Sequence, residues 1–147
     1  MSTITAIADA VVAELNGVAA GTFSQPFTAK RLYVPNFDLK DMKDLHVSVV
    51  PRGVELSTAS RSLLQHDVQI DVAVQKKLSA DTSNDQAVID ELMGLVQEIA
   101  DFLRNVGHFG DAQWVKTENK PVYSSEHLEQ LRQFSSVLIL TLRMLRA

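Results

Sequence analysis

The sequence predicts an α+β fold: a single mixed, mainly antiparallel β-sheet packed by a long central helix and an N-terminal helix. In residues 65–78, apolar and polar side chains alternate, and such alternation is typical of a strand with one buried face. A second strand-like run covers residues 134–144, and a long amphipathic helix lies between the two runs. The apolar row is Val68, Ile70, Val72 and Val74, and the polar row is Asp67, Gln69, Asp71 and Gln75.

The first third of the chain predicts a helix and then short strands. Apolar residues recur at helical spacing over residues 4–15, with Ser2 or Thr3 as the cap and Gly17 at the end. Residues 27–34 and 45–50 read as strands, separated by a charged connector at 38–44. Pro51 is expected to close the second strand. A turn at residues 52–53 and a returning strand at 54–57 would then complete a hairpin. Residues 58–64 are expected to form a polar loop.

The second half contains the long helix. Ser83 and Gln86 have the spacing of a capping box. A broad apolar stripe follows over residues 88–106, and Gly107 and Gly110 suit the end of the helix. A short strand is expected at 114–116, continuing at 121–123, and Ser124 or Ser125 should cap a short helix that reaches residue 132. No internal repeat or linker interrupts this order, so the prediction is one domain over residues 1–147.

Composition excludes several classes of function. With 147 residues and 46% hydrophobic content, the chain is long enough to bury one core. Its net charge of −4 gives no overall attraction to nucleic acid or to anionic membranes. The chain has no cysteine, which rules out disulfides and thiolate metal sites. No secretory signal is apparent, and the apolar run at 137–142 is too short to cross a bilayer. We expect a protein made in the cytoplasm that has no contact with a membrane.

One arrangement could carry enzyme chemistry. Asp71, Gln75 and Lys77 share one face of the predicted strand, in a pattern similar to the acid and lysine set of a metal-dependent nuclease. That chemistry needs carboxylates on Mg²⁺, and the expected glutamate is a glutamine here. The polar face of a half-buried strand explains the same three residues, so the assembly interpretation is preferred and a metal-dependent nuclease is the alternative. The four histidines lack metal-ligand spacing, and we predict no catalytic residue, no metal and no cofactor.

The remaining candidates are contacts between subunits. Arg52 and Arg61 fall in predicted loops, where an arginine is either solvated or paired with a neighbouring subunit. Phe109 and Trp114 follow the end of the long helix, where they either cover the core or anchor an exposed interface. The polar row of the long strand is a further candidate. The predicted interface residues are Arg52, Arg61, Asp67, Gln69, Asp71, Phe109 and Trp114.

The order of these segments resembles the tail terminator family of long-tailed bacteriophages and prophages. The resemblance is one of layout over nearly the whole chain, and it involves no catalytic motif. A leading amphipathic helix comes first, a long helix precedes the last segment, and the strand segments are FTAKRLYVP (27–35), MKDLHVSVVPRG (42–53), HDVQIDVAVQKKL (66–78) and FSSVLILTLRML (134–145).

This resemblance implies a structural virion protein without enzymatic activity. It implies a homo-oligomer, a hexameric ring that caps the tail tube and joins it to the head connector in the neck of the virion. The partners would be the tail tube protein and the connector or stopper protein. DNA would pass through the ring without sequence-specific binding, since an acidic channel repels the duplex. A head–tail connector, stopper or tail-completion role is the alternative.

Overall fold

The computed structural model describes residues 2–34 and 44–146. Its helices are α1 (Thr3–Asn16), α2 (Asp85–Val106) and α3 (Ser125–Leu131), and a 3₁₀ turn (Thr82–Asn84) precedes α2. Its strands are β1 (Ala29–Arg31), β2 (His46–Thr58), β3 (Leu64–Lys77), β4 (His108–Phe109), β5 (Ala112–Glu118) and β6 (Gln133–Arg146). The prediction of an α+β fold with one mixed sheet and a long central helix is confirmed.

The strands form one curled sheet in the order β1-β2-β3-β6-β5-β4. β1 runs parallel to β2, and every other neighbouring pair is antiparallel. The two longest runs of the sequence, β3 and β6, lie side by side at the centre, paired from Leu64↔Arg146 to Lys77↔Gln133. Because the side chains of paired residues point to the same face, this register fixes which residues meet on each side of the sheet.

α1 begins and ends as predicted. The hydroxyl of Ser2 accepts a hydrogen bond from the Thr5 amide at 3.3 Å, and Gly17 caps the C-terminus. Asn16, the last helical residue, then ties α1 to the sheet, since its side-chain amide donates to the Ala29 carbonyl and accepts from the Ala29 amide. These two bonds place α1 beside β1.

The predicted capping box at the start of α2 is wrong. The Asp81 carboxylate accepts hydrogen bonds from the Ser83 amide at 2.9 Å and from its hydroxyl at 2.7 Å, so Ser83 belongs to the 3₁₀ turn. Asn84 is the N-cap residue of α2, without a side-chain capping bond. The other end is as predicted: Gly107 adopts φ 76°, a conformation that glycine tolerates at a helix end.

The predicted hairpin at residues 52–53 is also wrong. β2 continues through Pro51 and pairs with β3 along its whole length, with a register shift between Pro51 and Gly53. β1 pairs with β2 only as far as Val49, so Pro51 lies beside a bulge at the edge of the sheet, where a missing backbone N–H is tolerated. The true turn lies between β2 and β3, where the Ala59 and Ser60 amides donate to the Leu63 carbonyl.

Two other predicted strands are shorter than expected or absent. The strand expected at 27–34 is reduced to β1, since only Ala29–Arg31 pair with β2. No strand is assigned at 121–123, where the chain passes directly into α3. There the hydroxyl of Ser124, one of the two predicted caps, accepts from the His127 amide. The connector expected at 38–44 lies outside the described residues apart from Asp44.

The sheet has two unlike faces. On the helix-covered face, the apolar rows of β3 and β6 pair directly, as in Ile70↔Leu140, and they share one core with buried residues of α1 and α2. This face carries the predicted apolar row Val68, Ile70, Val72 and Val74, each 0% exposed. The opposite side, here called the open face, carries the alternate residues of the same strands, and neither α1 nor α2 covers it.

Candidate assembly interface on the open face

The strand register brings four of the predicted interface residues onto the open face. Asp67, Gln69 and Asp71 follow one another along β3, and each pairs with a residue of β6 on the same face. Arg52 projects from the bulge in β2 toward Asp71. The sequence indicated the polar row of β3, but the contact with Arg52 depends on a pairing register that a single sequence does not reveal.

The Arg52–Asp71 pair lies near the middle of the open face. Nη1 of Arg52 is 3.2 Å and 3.3 Å from the two carboxylate oxygens of Asp71. Burial raises the pKa of Asp71 above its ordinary value, and the hydrogen bond and charge of Arg52 only partly oppose this rise. The carboxylate is therefore held in a partly dehydrated position, with one arginine as its counter-charge.

A second pair lies further along the same face. Nε and Nη2 of Arg143 in β6 donate to Asp67 at 2.8 Å and 3.2 Å, a two-point contact. The hydrogen bond from Arg143 lowers the pKa of Asp67, which keeps this carboxylate charged. Arg143 was absent from the predicted interface. The alternation of residues 133–146 carried the signal, since Arg143 falls out of step with the buried Leu138, Leu140 and Leu142.

The open face carries a trough above β3 and β6, with residues of β2 on one side and residues 115–121 on the other. Two adjoining cavities form this trough. One, of about 440 Å³, lies between Gly53 of β2 and Lys116 of β5 and includes Gln69 and Thr141. The other, of about 500 Å³, includes Asp71, Gln75 and Ile139. They meet where the pair Gln69↔Thr141 follows the pair Asp71↔Ile139 in the register.

The floor of the trough contains buried polar atoms without partners. Oε1 of Gln75 and Oγ1 of Thr141 lie in its two cavities, and neither makes a hydrogen bond within the described residues. Both side chains are more than nine-tenths buried. Oγ of Ser48, on the same face of β2, is the third such atom. Buried polar groups normally have a protein or water partner, so the floor retains an unused capacity for hydrogen bonds.

The charges of the trough are ordered in depth. The side chain of Arg52 is 48% exposed against 20% for Asp71, and Arg143 is 42% exposed against 21% for Asp67. In the pair at the end of β5, Lys116 is likewise more exposed than Glu118. In each pair the carboxylate lies deeper and the cation lies nearer the surface, so an approaching partner meets the cations first.

The other predicted interface residues lie elsewhere. Arg61 is exposed in the turn between β2 and β3, where it makes no contact with the trough. Phe109 is buried in the core, which fits the expectation that it covers the core and excludes an exposed anchor. Trp114 is partly buried on the helix-covered face, and its ring N–H donates to the Thr117 hydroxyl at 2.8 Å. Phe109 and Trp114 therefore stabilise the fold on the side away from the trough.

A further cavity lies on the helix-covered face. It has a volume of about 410 Å³, and it opens between α2 and strands β5 and β6. Trp114, Met93 and Leu138 give it apolar walls, and Asp101 and Arg104 lie at its edge. It shares no residue with the trough.

Of the residues considered for a nuclease, Asp71 and Gln75 line the same cavity of the trough and Lys77 lies outside it. Asp71 pairs with Arg52, and Lys77 lies exposed at the far end of β3, opposite Gln133. Within residues 2–34 and 44–146, no group of three or more histidines and carboxylates is placed to hold a metal ion. Among the described helices, none is long and apolar enough to cross a membrane.

Comparison with known proteins adds no relative. The chain matches no protein-family model, and no curated protein matches it. A functional interpretation therefore depends on the trough and on the layout of the sequence.

Proposed function

We propose that this protein is a structural assembly subunit, a ring-forming protein similar to the tail terminators of long-tailed bacteriophages. In this proposal copies of the chain form a ring, with six subunits as the expected number. The ring caps the tail tube and joins it to the head connector, DNA passes through it, and the protein catalyses no reaction. The observation that carries the proposal is the trough, whose floor holds Oε1 of Gln75 and Oγ1 of Thr141, two oxygens without a hydrogen-bond partner among the described residues.

The trough has features expected of a surface that binds a protein partner. Two long strands and three ion pairs build a surface of mixed polar and apolar character, with Val137 and Ile139 beside the charges, and neither of the two long helices covers it. Ion pairs on a preformed sheet give an interface its register and specificity. Unpartnered buried oxygens favour an occupant that supplies hydrogen-bond donors. A surface of this kind suits a protein partner, and the similarity in segment order to tail terminators suggests which kind of assembly it serves.

The proposal is tested with light scattering on the purified protein and electron cryomicroscopy of virions. We expect a ring in solution, or a ring at the head end of the tail in particles. A chain that stays monomeric at high concentration and is absent from virions would count against the proposal. The position of the gene gives a further test. We expect it beside the gene for the tail tube protein, and a position beside the portal or capsid genes would instead favour a connector or stopper.

The absence of enzymatic activity is tested separately. We expect no cleavage of DNA in the presence of Mg²⁺ or Mn²⁺. Cleavage that disappears in a folded Asp71→Ala variant would overturn the assembly proposal and restore the nuclease alternative.

A further inference from the structure

We propose that the trough of one copy binds the outer surface of α2 of a second copy, so that subunits associate head to tail. This inference deepens the proposed function and rests on it, because it assumes that the chain associates with itself. In this contact, cations of the trough pair with carboxylates on the outer surface of α2.

The trough has as many carboxylates as cations, but the cations of its three ion pairs are the more exposed partners. Arg52, Lys116 and Arg143 each lie nearer the surface than the carboxylate with which they pair. Lys120 is exposed at the rim of the second cavity and makes no ion pair in the described part of the chain. Glu55 of β2 is the exposed carboxylate of the trough. The partner that suits this rim presents carboxylates to it and donors to the floor.

The outer surface of α2 supplies carboxylates and donors. Asp90 and Glu91 are exposed there, and neither forms an ion pair within the described residues. Gln97, just past the middle of the helix, is also exposed, lines the cavity between α2 and the sheet, and carries a side-chain amide that can donate. Asp90 and Gln97 lie two turns apart on one side of the helix, and Glu91 lies on its neighbouring flank. This side therefore carries unpaired acidic groups on a chain whose trough presents cations.

Gly94 is a second and independent feature of this side of α2. It lies in the middle of a helix, where glycine is among the least favourable residues. A Cβ at this position would meet nothing within 4 Å, so packing inside the chain does not require glycine. Close approach of another backbone is a reason for glycine in a regular element. Asp90 and Glu91 lie one turn before Gly94, whereas Gln97 lies one turn after it. The backbone of a second copy would therefore come closest to α2 among these side chains.

The position of the two surfaces determines the kind of assembly. α2 packs on the helix-covered face, and the trough lies on the opposite side of the same sheet. A contact between unlike surfaces on opposite sides of a subunit is heterologous, and its repetition gives a closed ring or a filament rather than a twofold dimer. This geometry agrees with a ring in the proposed function.

Charge reversal provides the first test. Association of the full chain is measured by sedimentation for Arg52→Glu/Lys116→Glu, for Asp90→Lys/Glu91→Lys, and for the protein that combines all four changes. We expect each double variant to associate about tenfold more weakly or worse, because like charges then face each other. The combined variant should recover much of the loss. Matched controls are Arg61→Glu/Arg146→Glu and Glu14→Lys/Asp111→Lys, which reverse exposed charges away from both surfaces and should leave association unchanged.

Cross-linking provides the second test and does not depend on charge. The chain has no cysteine, so introduced thiols are its only ones. We expect Lys116→Cys mixed with Glu91→Cys to give a cross-linked pair, and either variant alone to give little. Cross-linking of Lys116→Cys with itself would show a twofold contact between troughs and overturn the inference.

The outcomes separate this inference from the proposed function. If the wild-type chain forms a ring and the reversed variants form it equally well, the head-to-tail contact is wrong and the ring stands. If the wild-type chain never associates, in solution or in particles, both are wrong. Thermal unfolding of every variant by circular dichroism excludes loss of the fold as the cause of weaker association.

Discussion

The two faces of the sheet differ in whether their buried side-chain polar atoms have hydrogen-bond partners. On the helix-covered face, the Ser136 hydroxyl donates to the Val122 carbonyl at 2.6 Å and accepts from the Asn119 amide at 3.0 Å. On the open face, Oγ1 of Thr141 and Oε1 of Gln75 have no partner among the described residues. Among the described residues, all three buried side-chain atoms that have no partner lie on the open face, and none lies on the helix-covered face. The open face keeps a binding capacity that a folded monomer does not use, which is the property expected of a surface that meets a neighbour.

The largest expected effect is a difference in the free energy of unfolding between substitutions in the apolar row and in the polar row of β3. Ile70→Ala should lower the free energy of unfolding by roughly 2–5 kcal/mol, because it leaves a cavity in the core. Gln69→Ala, the neighbouring position on the open face, should change it by about 0.5 kcal/mol or less. Urea denaturation of both variants measures the difference. Equal effects at the two positions would show that the faces of the strand are assigned wrongly.

The second prediction compares two buried hydroxyls on opposite faces. Ser136→Ala should destabilise the protein by about 1–3 kcal/mol, since it removes two hydrogen bonds and takes the hydroxyl donor from the Val122 carbonyl, while Asn119 keeps its bond to the Val137 carbonyl. Thr141→Val keeps the shape of the side chain and removes a hydroxyl without a partner, so the isolated chain should be unchanged or more stable. Thermal unfolding of dilute protein tests both. A large loss in Thr141→Val would show that its hydroxyl is satisfied within the monomer.

The same contrast explains how much of the fold the sequence could predict. β3 and β6 were predictable because period-two alternation reports which face is buried. α1 was predictable because Ser2 and Gly17 mark its ends. β2 was misread at Pro51, since a proline on a strand ends it in some contexts and marks a bulge in others. The pairing register distinguishes the two cases, and it depends on contacts with β3 that are distant in sequence.

The candidate interface was predictable only in part, for a related reason. Asp67, Gln69 and Asp71 follow from alternation within one strand. The partners Arg52 and Arg143 follow from the pairing of β3 with β2 and β6, which no local pattern contains. Phe109 was ambiguous because an aromatic residue after a helix suits either a core or an interface. Its burial in the tertiary structure shows that Phe109 belongs to the core.

A third prediction concerns α2, the other surface assigned to the contact. Gly94→Ala should stabilise the isolated chain by about 0.5–1 kcal/mol, because alanine is the better helix former and nothing nearby obstructs its Cβ. The matched control is Gly107→Ala, which should destabilise, since Gly107 has φ 76° and a side chain there is strained. Chemical denaturation measures both changes. If Gly94→Ala destabilises dilute protein, glycine serves the fold at that position and not a contact.

The smallest expected effect is on pH dependence, where the two aspartates of the open face should act in opposite directions. The Arg143 hydrogen bond lowers the pKa of Asp67 from its ordinary value of 3.8. Its contribution to stability is therefore present above pH 3.8 and is lost as the pH falls through the lowered pKa. Burial raises the pKa of Asp71 from the same value. Its contribution is present below pH 3.8 and is lost as the pH rises through the raised pKa.

Single substitutions separate these two contributions. The Asp67→Asn variant should lose less stability than the wild type when the pH falls below 3.8. The Asp71→Asn variant should gain on the wild type as the pH rises above 3.8, because it no longer carries a partly dehydrated carboxylate. Urea midpoints measured from neutral to acidic pH, on protein dilute enough to be monomeric, give both profiles. If both substitutions shift the profile in the same sense, the opposite causes assigned here, the Arg143 hydrogen bond at Asp67 and burial at Asp71, are wrong.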